Sequence, residues 1–292
     1  MKKWMILLLV FLLLPAFALA DRYIVDEYSA EEPAARLTDE LCRLLTEETG
    51  ETYTACHAGS PEAAADTVTE DADGKHLLLC GLDPFIRSLQ GYTAQDLRTA
   101  LRPAAAVTAM EAYLYVSGAV ISACPGADAE ALSAFCDEMD GEVLIARLPD
   151  ADTVDYLTLQ GTWDFYADQE YYMSWQEAAD AAADDTLLLL VCARPILPEE
   201  VKGGMTEAFP VDTAPVQIGL YAPAAMEDAE IAGIRTAVEK ICAGEEWLNL
   251  SGEMGYSKEL AAAPADFEAE HAQMLEDIIH YLSQEGLYFY EF

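Results

Sequence analysis

Apolar and polar positions along this chain follow two different periods, and the switches between them outline its elements. Tyr23-Ile24-Val25 is a short apolar run that predicts a strand. From about Pro33 to Thr49 the period lengthens: Leu37, Leu41 and Leu44/Leu45 form one stripe, which predicts a helix closed by Gly50. Thr52 to Cys56 predicts a second strand, Pro61 to Val68 an alanine-rich helix, and His76 to Cys80 an apolar strand after the Asp73-Gly74 turn. Strands alternating with helices at this spacing predict an α/β sheet.

The middle of the chain repeats the scheme. Ala112 to Val116 and Ala119 to Ala123 are strand candidates, and Asp128 to Met139 carries Leu132, Phe135, Cys136 and Met139 on one helical face before Gly141 and the strand Val143 to Ala146. Helices are expected over Asp150 to Gln160 and Ser174 to Ala183. Leu187 to Cys192, bounded by Asp184-Asp185 and Arg194-Pro195, is too short to span a bilayer and predicts a buried central strand. Ala193 to Pro215, with Pro195, Pro198, Pro210 and Pro215, reads as irregular. A strand then runs from Val216 to Leu220, and Asp228 to Cys242 is a helix with Ile231, Ile234, Val238 and Ile241 on one face. The last helix, about Asp266 to Leu282, aligns Phe267, His271, Met274, Ile278 and Leu282. The aromatic tail from Leu287 to Phe292 is expected to dock on the body.

The first twenty residues differ in kind. Lys2 and Lys3 precede an apolar run from Trp4, and Ala16-Phe17-Ala18-Leu19-Ala20 offers the small-x-small pattern of a cleavage site, so 1–20 reads as a signal peptide and the mature chain as exported, periplasmic or extracellular. The mature chain is not expected to insert into a membrane.

Charge narrows the partners. With 15 Lys+Arg against 53 Asp+Glu the formal charge is −38, which disfavours phosphate-rich nucleic acid and anionic membrane surfaces. So acidic a protein gains solubility, and acid or salt tolerance or loose cation binding are sharper uses of the same charge. Seven cysteines without a CxxC, several inside apolar runs, read as buried free thiols. Cys124, after a predicted strand, and Cys136, in the following helix, are the candidate disulfide.

Chemistry-bearing motifs are scarce. Of His57, His76, His271 and His280, His271 sits on an apolar helical stripe and reads as structural. Cys56-His57 pairs a thiol with a base, yet neighbours on a strand point to opposite faces. No metalloprotease, nucleophile-elbow, phosphate-loop or dinucleotide motif occurs. Asp71-Ala72-Asp73-Gly74 lacks the further ligands of a calcium loop. No catalytic residue, metal or cofactor is expected, and the chain is not expected to be an enzyme.

The order of segments resembles the extracytoplasmic receptors of the tripartite tricarboxylate transporters, the Bug proteins. Glu32-Pro33-Ala34-Ala35-Arg36 stands where that family has Asp-x-x-Ala-Arg, with Tyr28-Ser29-Ala30 in place of its glycines. Ala58-Gly59-Ser60 and Asp71 to Leu78 are similar to the family's Pro-Gly loop and Pro-Asp-Gly-Tyr-Thr-Leu-Leu segment. Glu177 to Leu187 is similar to its alanine-rich stretch, Gly219-Leu220-Tyr221-Ala222-Pro223 to its Gly-Leu-x-Ala-Pro, and Pro264-Ala265-Asp266-Phe267 to the start of its last helix. The resemblance implies a two-lobed, periplasmic-binding-protein-like α/β fold, each lobe a sheet flanked by helices: 21–115 with 216–292 as a discontinuous first lobe, and 116–215 as the second. It also implies binding of a small organic solute, a carboxylate being the family's choice, for uptake with membrane transporter subunits.

Backbone donors in loops hold the ligand in that family, which places the candidate contacts at Ser29, Ala30 and Glu32, at Gly59 and Ser60, and at Arg147, Asp150 and Thr153. Carboxylates in these loops oppose an anion. The alternative is therefore a degenerate receptor fold acting as an exported interaction or accessory protein.

Overall fold

The computed structural model describes residues 22–31, 34–110, 113–125, 128–147, 168–172, 175–183, 186–192, 205–210, 216–254, 256, 264–284 and 289. The expected signal peptide, the helix expected over 150–160 and the loop residues Glu32, Asp150 and Thr153 lie outside them.

Strand β1 (Arg22–Asp26) leads into helix α1 (Ala35–Thr49), which buries Leu37, Thr38, Leu41, Cys42 and Leu45 and stops at Gly50, where φ of 74° suits a residue without a side chain. Strand β2 (Tyr53–His57), helix α2 (Pro61–Thr69) and strand β3 (His76–Cys80) follow. β1 pairs in parallel with both β2 and β3, so the chain moves outward from β1 and then crosses back over it. Right-handed crossovers in opposite directions put α1 and α2 on opposite faces of the sheet.

Helices α3 (Asp83–Leu89) and α4 (Leu97–Ala100) then deliver the long strand β4 (Leu101–Met110), whose alanine-rich sequence gave no strand signal. The second sheet begins at once with β5 (Tyr113–Ser117), then α5 (Gly118–Ala123), α6 (Ala129–Met139), β6 (Leu144–Arg147), β7 (Asp168–Tyr171), α7 (Trp175–Ala183), β8 (Leu188–Cys192) and β9 (Met205–Pro210). β10 (Val216–Pro223) returns to the first sheet, and α8 (Asp228–Cys242), α9 (Glu245–Glu253) and α10 (Pro264–Gln284) complete that lobe. The sheets run β2-β1-β3-β10-β4 and β7-β6-β8-β5-β9. This is a two-lobed α/β fold of the periplasmic-binding-protein type, and β8 is the central strand of its sheet, as its apolar run requires.

One antiparallel ribbon passes through both lobes. β10 pairs with β4 from Leu101↔Pro223 to Met110↔Val216, and β9 pairs with β5 from Tyr113↔Pro210 to Ser117↔Met205. Tyr113 to Tyr115 therefore belong to the second sheet and not to a first lobe ending at 115. Two further expectations are corrected. Ala119 to Ala123 is helical, because Ser117 accepts the Val120 N–H and starts α5. The stretch 193–215 contains β9, which pairs with β5 despite Pro210 at its end.

The thiols are corrected in part as well. Cys124 and Cys136 are separate free thiols and no disulfide joins them. The Cys136 side chain is drawn into the core with Leu132, whereas the Cys124 sulfur points at the Ala131 carbonyl, 3.9 Å away.

Strand β4 is an edge, and helices α8 and α9 cover it. Arg235 donates to the carbonyls of Ala104 (2.7 Å) and Pro103 (3.3 Å), and the Trp247 indole donates to that of Val107 (3.1 Å). Carbonyls occupied in this way cannot template another strand. On the opposite face Gly219 lets α10 approach: a Cβ there would lie 2.1 Å from the Phe267 ring. The tail docks through the Phe289 N–H on the Leu89 carbonyl (2.9 Å), with its ring over Gly91 though 64% exposed.

Candidate functional site

Ligands of open α/β sheets bind beyond the carboxyl ends of the strands, where neighbouring crossovers leave on opposite faces. Here that place is the end of β1, between β2 and β3, and its wall consists of residues 26–31, 57–60 and 81–83.

Three main-chain donors of this wall, those of Tyr28, Ala58 and Gly59, are engaged within it. The Ala58 N–H donates to the Asp26 carbonyl and the Gly59 N–H to the Tyr28 carbonyl, both at 3.0 Å. The Tyr28 N–H donates to Asp26 Oδ1 at 3.1 Å. Ser60 caps α2: its hydroxyl accepts the Ala63 N–H at 3.2 Å and its carbonyl the Ala64 N–H at 3.0 Å. Gly59 has φ of 77° with open space around it, so its backbone conformation and not crowding calls for glycine. Ser29 and Ala30 follow the bend at Glu27 and Tyr28 beyond β1, and Arg147 is the last residue of β6, in the other sheet. Thus Ser29, Ala30, Gly59 and Ser60 meet at one wall, with the amide of Gly59 and the hydroxyl of Ser60 serving the wall itself.

The side chains give this wall its character. Asp26 is fully buried, and Glu27 and Asp83 are nearly so. Burial raises the Asp26 carboxyl above its ordinary value, while Thr38, His57 and the Tyr28 amide draw it back. Burial likewise pushes the Cys80 thiol well up, and the nearby carboxylates of Glu27 and Asp83 add to this, which locates both acids at the end of β3. His57 binds Asp26 Oδ2 through Nδ1 at 2.9 Å and faces Asp39 Oδ1 through Nε2 at 3.4 Å. Beside them burial drives the Cys42 thiol up to about 12 and raises that of Cys56, so neither is poised as a thiolate.

Chemically, then, the first lobe offers a negative, largely self-bonded wall with one imidazole set in it. The sequence pointed to these loops through Gly59 and Ser60 but missed Asp26, Glu27, Asp39 and Asp83. Asp26 carried a usable signal, an acid ending an apolar strand. Asp39 carried none, since it joins the wall only through the packing of α1. Among the described residues no group of three His, Cys, Asp or Glu side chains is arranged to hold a metal, and no helix is long and apolar enough to cross a membrane. Asp71 accepts N–H bonds from Asp73, Lys75 and His76, so its carboxylate closes a turn.

His271 belongs to an aromatic cluster. It packs among Phe85, Tyr221 and Phe267, with Nδ1 3.0 Å from the Tyr221 hydroxyl, and burial lowers it to about 4.

No protein-family model matches the chain, and no curated sequence is detectably similar to it. Solved structures are similar in fold. One described as a periplasmic transporter superposes with a TM-score of 0.69 at 12% identity, covering 92% of this chain and 98% of its own. A Rhodopseudomonas palustris protein with adipate gives 0.67 at 13% identity, covering 90% and 95%. A TctC solute-binding protein from Polaromonas, without ligand, gives 0.66 at 13% identity, covering 90% and 98%. At this identity the likeness establishes the fold.

Proposed function

We propose that this chain is an extracytoplasmic solute-binding protein whose two lobes close on a small organic solute at the carboxyl ends of β1, β2 and β3 and present it to membrane transporter subunits. The observation that carries this reading is the pair of separate sheets joined by one ribbon, matched over nearly the full length of a TctC solute-binding protein and of a protein holding adipate. Two bodies joined in this way close by changing a few backbone dihedrals, and a solute touching both walls supplies the differential affinity that closure needs. Capture and release require no catalytic group, and none is assigned.

The adipate held by one neighbour makes small carboxylates the first class to test. The first wall contributes acids at Asp26, Glu27 and Asp83, so an anion would have to find its donors on the second wall, where Arg147 ends β6. The buried acids of the first wall, together with the engagement of its Tyr28, Ala58 and Gly59 amides, favour a second reading, a receptor fold retained as an exported interaction or accessory protein.

Calorimetry and thermal unfolding of the mature chain with adipate, tricarboxylates, amino acids and polyamines separate these. A solute at a hundred times its Kd should stabilise the protein by about 2.7 kcal/mol. Binding of acids supports the carboxylate reading, and binding of amines alone reassigns the class. Silence across the panel rejects the receptor in favour of the accessory protein.

A further inference from the structure

Strand β4 sets ten residues along the eight of β10, and irregularities in the pairing show where the two extra ones sit. Ile218 faces Thr108 and Gly219 faces Ala106, which leaves Val107 without a counterpart. Leu220 faces Ala105 and Tyr221 faces Pro103, which does the same for Ala104. Each is a β-bulge, where a strand bends and twists more strongly than its partner. Ala104 and Val107 are both buried, so their carbonyls need donors from elsewhere.

Those two carbonyls are the ones that the covering helices reach. Arg235 Nε of α8 donates to Ala104 at 2.7 Å, with Nη2 on Pro103 at 3.3 Å. The Trp247 indole of α9 donates to Val107 at 3.1 Å, and the Cys242 thiol of α8 joins it at 3.3 Å. Arg22, Arg43, Arg87, Arg98 and Arg102 each pair with carboxylates, whereas Arg235 turns to main-chain oxygen in a chain rich in acids. Packing is a poor substitute for these donors. Ala104, Ala105 and Ala106 carry the same side chain, so a bulge at one of them fills space much as a bulge at the next, and register is weakly specified by shape.

What hangs on the register is the ribbon. β4 ends at Met110 and β5 begins at Tyr113 in the second sheet, so the bend and twist of β4 set the direction in which the chain enters the second lobe. We propose that Arg235 and Trp247 are positioning residues: by pinning the bulges at Ala104 and Val107 they fix the register of β4 on β10, and through it the pose of the second lobe on the first. Helices α8 and α9 are then a clamp on the ribbon as well as a cover for its edge. Without the two donors the bulges migrate between Ala104 and Val107, and the lobes sample further poses. A consequence for solute capture rests on the solute-binding reading; the clamp itself does not, and its test uses no solute.

NMR of the intact mature chain tests it. Cross-strand proton contacts between Leu220 and Ala105 and between Gly219 and Ala106 report the register, and residual dipolar couplings of the two sheets report the pose of one lobe on the other. Trp247→Phe keeps an aromatic ring and loses the donor; Arg235→Met keeps an unbranched chain and loses both donors. Each is expected to speed amide exchange from Ile218 to Tyr221 about fivefold, the worth of one net hydrogen bond. Combined, they should split the register signals and rotate or shrink the couplings of the second sheet relative to the first. Arg235→Lys, which still donates to a carbonyl, should return exchange and couplings to native values, a rescue that a packing role would not show. Native register and couplings in the combined variant overturn the clamp, and so does an Arg235→Lys chain as disturbed as Arg235→Met. If the combined variant fails to fold, Trp247→Phe and Arg235→Lys decide it: native exchange in the first or disturbed exchange in the second rejects the clamp.

Discussion

The two lobes use one architecture and hold it together by different means. In the first, a single continuous core wraps both faces of the sheet and contains Phe85, Tyr221, Trp247 and Phe267. In the second, the described side chains divide into two smaller cores, one per face. Leu114, Val116, Ile145 and Leu189 line one, and Tyr115, Ala146, Leu188 and Leu190 line the other, as strand alternation dictates. The helical contribution to the second core is mostly Ala178, Ala179 and Ala182, which bury little area each. There a hydroxyl takes on a larger share of the work. Ser117, fully buried, accepts the N–H groups of Leu188 (3.1 Å) and Val120 (3.4 Å) and donates to the Thr186 carbonyl (2.6 Å), so it pins β5, α5 and the entry to β8 at one point. Among the described residues bulk dominates the first lobe, while in the second one face is packed by small side chains and a directed polar contact at Ser117 ties its elements together.

Four substitutions or conditions press on that contrast. The largest effect is expected for Trp247→Ala, which opens a cavity under α9 and strips a donor from the edge carbonyl of Val107: about 3–5 kcal/mol of stability, read by circular dichroism in urea. A loss below about 1 kcal/mol would contradict a first lobe held by bulk.

Acid should act next and in the same lobe. His271 is neutral in the fold and lowered from 6.5 to about 4, so the unfolded chain binds the extra proton. Its contribution is whole above pH 6.5 and is lost as pH falls toward about 4, up to roughly 3 kcal/mol. Unfolding of His271→Phe across this range should lack that slope, and an unchanged slope would assign the acid sensitivity elsewhere.

In the second lobe Ser117→Ala removes three hydrogen bonds and strands the Leu188 amide, for about 2 kcal/mol. Ser60→Ala, which uncaps α2 of the first lobe, should cost about 1 kcal/mol because the core above it is intact. If Ser60→Ala proved the more harmful in thermal unfolding, the assignment of polar dependence to the second lobe would be reversed.

Much of this architecture was legible because local pattern and tertiary role agree. Leu37, Leu41 and Leu45 form a stripe in sequence and face the sheet in space. The His76 to Cys80 and Leu187 to Cys192 runs are apolar because each is flanked by strands on both sides. Legibility failed where partners supply what the segment lacks. β4 is an alanine-rich strand whose identity depends on β10 and on the side chains of α8 and α9. Ala119 to Ala123 has strand-forming residues, yet a serine cap turns it into a helix. β9 lies in a proline-rich stretch and exists through its pairing with β5. The candidate site was legible by half: the loops could be located, but not that the Tyr28, Ala58 and Gly59 amides bond within them.

By itself the sequence determined the alternation of strands and helices, the acidic surface and the positions of the loops beyond β1 and β2, because these depend on period, charge and turn-forming residues along a single stretch of chain. Only the tertiary structure decided that β4 and β10 form the ribbon between the lobes, that Gly59 donates inward, and that His57 stands between Asp26 and Asp39. Each of these joins groups whose meeting is fixed by parallel pairing and helix packing, and a linear pattern carries no record of which distant partner a hydrogen bond will find.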